Sequence, residues 1–174
     1  MRRVTRPSAA ERAATLPGDE LVASADVVMD RAFSLPAPPD EVWPWLVQLG
    51  KRRAGWYLPH WFERLVPPSR RGLRHLEPAH LSLAVGDVIP DWGGRDETFT
   101  VAELVPGHHL VHTSTRGHVH LSWCLLLTPE GAGSRLHLRL RLGGVRRRWL
   151  AEHAGGLVDW ATVAGLAAGL RERV

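Results

Sequence analysis

Lysine is almost missing from this chain. Of 22 basic residues among 174, only Lys51 is a lysine and the rest are arginines. Alongside so much alanine, glycine and proline, that skew reads as a GC-rich coding bias. The net charge of +4 is modest despite a pI near 10.4. The densest basic runs are Arg70-Arg71 with Arg74, and Arg146-Arg147-Arg148. Such runs can touch phosphates, but no recognised nucleic-acid motif accompanies them, so solvated faces and no nucleic-acid partner are expected. Cysteine is equally scarce. Cys124 alone excludes an internal disulfide, fits a reducing cytoplasm, and is expected to be a buried packing residue. No apolar run approaches the ~20 residues of a membrane span. The start, Met1-Arg2-Arg3-Val4-Thr5-Arg6-Pro7, is basic but leads into no apolar core, so it does not read as a signal peptide. Phenylalanine and tyrosine are few, three and one, against eight tryptophans.

What is present is an ordinary globular balance, 44% hydrophobic and 23% charged, which argues against disorder. Residues 1–25 read as a leader segment, with a short helix near Ala9–Thr15 capped by Ser8 and a turn at Pro17-Gly18-Asp19. Residues 26–174 read as one domain. Val27 to Leu35 alternates as a half-buried strand and is stopped by Pro36, Pro38 and Pro39. Pro39 suits a helix start, Asp40 and Glu41 suit its positive end, and Val42, Leu46 and Leu49 share one face. Pro44 should kink this helix, and Gly50 ends it. A second short helix is expected around Pro59–Leu65. Strands follow at Asp87–Asp91, Thr98–Leu104, Leu110–Ser114, Val119–Thr128 and Arg135–Leu142; the last sets four leucines against Arg135, His137, Arg139 and Arg141. From Val145 to Arg173 one continuous helix is expected, with Trp149, His153, Gly156, Trp160, Ala164 and Ala167 facing inward. Its interior glycines each cost about 1 kcal/mol against alanine, so close packing or space for a ligand should compensate. The layout is α+β, helix covering one side of an antiparallel sheet.

Several segments resemble the SRPBCC superfamily, the START-like helix-grip group that includes polyketide cyclases and dehydratases. They are Leu16-Pro17-Gly18-Asp19-Glu20, Leu35-Pro36-Ala37-Pro38-Pro39 and Val42-Trp43-Pro44-Trp45-Leu46-Val47-Gln48-Leu49-Gly50. Gly55-Trp56-Tyr57, Val85-Gly86-Asp87-Val88-Ile89-Pro90, Ser122-Trp123 through Pro129 and the ending from Asp159-Trp160 are similar to an uncharacterised actinobacterial branch. The resemblance implies a curved antiparallel sheet wrapped around a long C-terminal helix, with two short helices after the first strand. It also implies a cavity between sheet and closing helix for an apolar guest, and it supplies no catalytic motif.

Trp45, Trp56, Tyr57, Trp61, Trp123, His153 and Trp160 are the candidate ligand-binding residues; aromatic rings line apolar pockets and offer an N–H or O–H to orient a guest. The bland alternative for each is core packing. His153 is the first candidate for proton transfer and Arg31 the second, as an oxyanion partner, unless that arginine merely reaches water along its stem. Asp91, Glu103 and Asp159 are the nearest carboxylates. The strand histidines do not assemble a metal site. The 129–134 hairpin pairs His137 with Leu126, some 20 Å from His120 at about 3.3 Å per residue. A three-residue loop after Ser114 turns His112 to solvent opposite His120, whereas a two-residue loop turns it inward. The residues therefore support a binder of a lipid- or polyketide-like molecule, with a polyketide cyclase, aromatase or dehydratase as the alternative. No cofactor is expected, and the chain is expected to be a monomer or homodimer.

Overall fold

The computed structural model describes residues 5–94 and 96–174; the basic start through Val4 lies outside them. A capping box between Ser8 and Glu11 starts α1 (Ala9–Ala13). After a 3-10 turn at Asp19–Val22 comes β1 (Val27–Leu35), then α2 (Pro39–Gln48) and α3 (His60–Glu63). Five strands follow: β2 (Val88–Pro90), β3 (Thr98–Val105), β4 (His109–Arg116), β5 (Val119–Glu130) and β6 (Gly133–Gly143). The chain closes with α4 (Arg148–Leu150), a π turn at Ala151–Gly155 and α5 (Gly156–Arg171). No helix among the described residues is long and apolar enough to cross a membrane.

All strands pair antiparallel in the order β1-β6-β5-β4-β3-β2. Leu126 opposes His137, the register that the hairpin length predicts. Alternation then separates the faces. Phe33, Leu35, Leu125, Leu127, Leu136 and Leu138 point inward, where α2 and α5 cover them. Arg135, His137, Arg139 and Arg141 point outward. The segment read as a leader lies on that outer face: Leu16 is buried against Val111 and Cys124. Gly18 sits at φ +77°, and a Cβ there would meet Val111 at 2.4 Å. Arg139 ties the segment down, donating to Ala14 O (2.7 Å), Glu11 O and Arg12 O (both 3.1 Å), and to Asp19 (2.8 Å) and Asp30 (2.8 Å). Burial alone raises the Asp30 carboxyl, but hydrogen bonds from His137 and Arg139 outweigh it and hold the group below its ordinary pKa. At the β1 edge, Arg31 donates to Asp30 O and Arg171 to Ser34 O, which occupies carbonyls that would otherwise invite another strand.

The closing helix departs from expectation in two ways. It begins at Arg148 rather than Val145, because Asp26 accepts from the Val145 N–H at 2.8 Å and Gly144 turns at φ +77°. Its inward stripe is Val163, Leu166, Ala167 and Leu170, while Trp149 and Trp160 are 70% and 52% exposed. The π turn inserts an extra residue, which shifts the helical phase. From Gly156 to Leu170 only Asp159 is charged, so hydrophobic periodicity has little contrast to mark a face. Two of the glycines, Gly165 and Gly169, serve close approach, to the α2–α3 connection rather than the sheet. A Cβ on Gly165 would lie 2.7 Å from Leu58 Cδ2, and one on Gly169 2.6 Å from Leu58 N.

Candidate functional site

The sheet–α5 contact is closed by large side chains, so the inner face opens elsewhere, between α2 and strands β2–β5. Val42 and Leu46 are buried on one side of α2, as their spacing predicts, and Leu49 is buried just past its end. Past the helix the chain pinches, Gly50 bridging Gly55 with φ of +147° and +79°. Trp56 emerges from that pinch. Its indole N–H donates to Thr162 O on α5 at 3.1 Å, and its ring stacks on Trp123 with centroids 6.1 Å apart.

The β4–β5 hairpin closes on Gly117 and His118, with Gly117 at φ +61°. This is the two-residue turn, and it carries His112 inward opposite Trp123. The imidazole stacks on Trp123 at 5.6 Å, and Phe99 from β3 meets both rings at 5.7 and 5.8 Å. Trp56, Trp123 and His112 thus form a ladder of near-parallel rings. Ile89, Pro90, Leu46 and Leu49 close the sides of a narrow cleft with about 40 Å³ of free volume, room for a few waters. Its rim is polar. Trp92 packs edge-on against Trp56, the Asp91 carboxylate pairs with Arg116, and Lys51 donates to Asp91 O at 2.6 Å.

His112 is the one ionisable side chain deep in this cleft. It is 5% exposed, and its Nδ1 is buried without a hydrogen-bond partner. Burial first, and the positive charge of Arg53 second, push its pKa down to about 4. The imidazole is therefore neutral at pH 7, with a nitrogen free to donate or accept in apolar surroundings.

Of the residues named from sequence, Trp56 and Trp123 line the cleft. Trp45 and Tyr57 are buried core: their rings meet edge-on at 5.7 Å, and the Tyr57 hydroxyl donates to Trp45 O at 2.9 Å. Trp61 and Trp160 are on the surface. His153 is exposed, its ring against Trp149. The inward aim expected for His153 and Trp160 fails with the helical phase described above. Arg31 does face inward, half-buried, but beside α5: it pairs with Asp159 at 2.9 Å and donates to Gly156 O. Asp91 is at the cleft; Glu103 is on the outer face beside His109. His120 lies by Thr115 and His137 by Asp30, both on the outer face. Among the described residues no three His, Cys, Asp or Glu side chains gather as a metal site. His112, Phe99 and Trp92 were not among the sequence candidates for the site; the turn length before Val119 is the signal that separates an inward from an outward His112.

No family model matches the chain, and no curated protein does. Solved structures do. CalU16 from Micromonospora echinospora matches with a TM-score of 0.56 and 19% identity, over 84% of this chain and 76% of its own. Protein MLL2253 from Mesorhizobium loti matches at 0.52 and 20%, over 85% and 98%. The fold is a helix grip. DynU16, a protein of the dynemicin biosynthetic locus, shares it at 0.52 and 20%, over 81% of this chain and 45% of that one. At these identities the helix-grip likeness concerns architecture, and the site has to be read from its own residues.

Proposed function

We propose that this helix-grip protein binds a planar, largely apolar small molecule between α2 and β2–β5, seated on Trp123 and Trp56 and hydrogen-bonded to His112. The carrying observation is the unpartnered Nδ1 of a fully desolvated imidazole inside an aromatic ladder. A buried polar atom left without a partner costs about 1–3 kcal/mol, which a guest hydroxyl or carbonyl would recover. Burying ~300 Å² of apolar guest contributes about 7 kcal/mol gross, so micromolar affinity is a sensible ceiling. A guest larger than a few waters has to part Trp56 from Trp92. DynU16 offers a precedent for this fold at a biosynthetic locus, and the single cysteine fits a cytoplasmic setting.

The same imidazole favours a second reading, a polyketide-type cyclase, aromatase or dehydratase. A neutral imidazole in a dry slot can take a proton from carbon next to a carbonyl. His112 would then hold the proton-transfer role that the sequence suggests for His153.

Titration with a trihydroxyanthraquinone, a planar tricyclic phenol, tests the binding reading. Saturable quenching of tryptophan emission is expected, lost in Trp123→Leu and weakened several-fold in His112→Phe. Equal binding by both variants would place the guest elsewhere. Turnover of an enolisable poly-ketone, abolished by His112→Phe with its binding intact, would favour the enzyme.

A further inference from the structure

A helix packed on a sheet usually buries one stripe and turns charge toward solvent. α5 does not. Opposite its buried stripe it presents Leu157, Val158, Ala161, Ala164 and Ala168, with no charged side chain among them. Leu157 and Val158 are 64% and 63% exposed. The carboxylate of the first turn, Asp159, is turned away to Arg31. Across from this face α3 offers Trp61 and Phe62, and the two helices wall an open apolar groove of about 600 Å³ floored by Leu58 and Pro59. The same run of helix carries Trp149 and Trp160 into solvent. Half of the large hydrophobic side chains exposed among the described residues fall within 61–65 or 149–160. Monomeric surfaces seldom leave so much apolar side chain together without a partner.

The charge beside this surface is mostly of one sign. Arg64 follows Phe62 on the turn after α3, and Arg146 and Arg147 precede Trp149. All three are exposed, and none makes a side-chain hydrogen bond or ion pair among the described residues. The nearest carboxylate in sequence that is also exposed, Glu152, lines a different groove beside Met29 and Arg31. We propose that this face docks on an anionic lipid surface, with Trp61, Trp149 and Trp160 at headgroup depth and Arg64, Arg146 and Arg147 on lipid phosphates. Tryptophan favours that depth, and arginine is drawn to the negative leaflet. A second copy of the chain is the poorer occupant. A two-fold contact through this face sets the same unpaired arginines against one another. The groove shares Trp56 with the cleft, but the inference does not depend on what binds there.

Co-sedimentation of the full chain with vesicles tests it, comparing phosphatidylglycerol mixed into phosphatidylcholine with phosphatidylcholine alone. Binding to the anionic vesicles only, with a blue shift of tryptophan emission, is expected. Arg146→Gln with Arg147→Gln should weaken partitioning about 25-fold, roughly five-fold per charge. Trp149→Ser with Trp160→Ser should remove binding while leaving thermal unfolding in place, since both side chains are exposed. Protein left in the supernatant with anionic vesicles overturns the proposal, and so does equal binding to both vesicle types. A dimer in sedimentation equilibrium that Trp160→Ser splits, without vesicle binding, assigns the face to a second copy instead.

Discussion

His112 puts stability and binding in opposition. Its folded-state pKa of about 4 lies below the ordinary 6.5, so between those values the unfolded chain holds the extra proton. The group's contribution is fully present above pH 6.5 and is lost as pH falls toward 4, a difference of up to about 3 kcal/mol. His112→Phe removes both the titration and the unpartnered nitrogen while keeping a ring on Trp123. Thermal denaturation between pH 4 and 7 should then show a flatter acid limb and a midpoint at pH 7 equal to or above wild type. An unchanged acid limb would mean that the imidazole is not buried as described. Loss of hydrogen bonding to the proposed guest is the accompanying effect.

Among the elements, the closing helix offers a contrast between two glycines. A Cβ on Gly156 meets nothing within 4 Å, whereas one on Gly169 runs into the backbone of Tyr57 and Leu58 at 2.6 Å. Gly156→Ala should stabilise the protein by about 0.5–1 kcal/mol through helix propensity. Gly169→Ala should lower stability despite the same propensity gain, because backbone cannot yield as a side chain can. Chemical denaturation of the two variants checks both signs. The outer-face strap depends on Arg139, which bridges Asp30, Asp19 and three carbonyls of residues 11–14. Arg139→Met leaves the half-buried Asp30 with His137 as its remaining side-chain partner and should cost about 1–3 kcal/mol. Limited proteolysis should then cut first within residues 5–23; retained protection there would contradict the strap. Elements such as β6 and α2 are legible from sequence because leucine and arginine, or valine and leucine, alternate with enough contrast to fix a face. The phase of α5 is not, since apolar residues surround it and a π turn slips its register. His112 sits between these cases: one residue of turn length, settled by Gly117 at φ +61°, decides whether it meets solvent or Trp123.

At the scale of the molecule, one sheet divides the work between its faces. The outer face is a charged lattice closed by the N-terminal segment. The inner face is closed by large side chains beneath Val163–Leu170 and loosens toward β2–β5, where short β2 and the segment after it leave an aromatic slot with a polar rim. That asymmetry puts the proposed site beside α2 and not beneath the long helix, where the resemblance to helix-grip proteins points. The most direct test of the slot is the side-chain nitrogen resonance of His112, assigned by its absence in His112→Phe and followed by NMR as trihydroxyanthraquinone is added. The expected result is a saturable shift of its Nδ1 signal at pH 7, accompanied by the Trp56 and Trp123 indole protons. A guest that binds while His112 Nδ1 stays fixed would contradict the site.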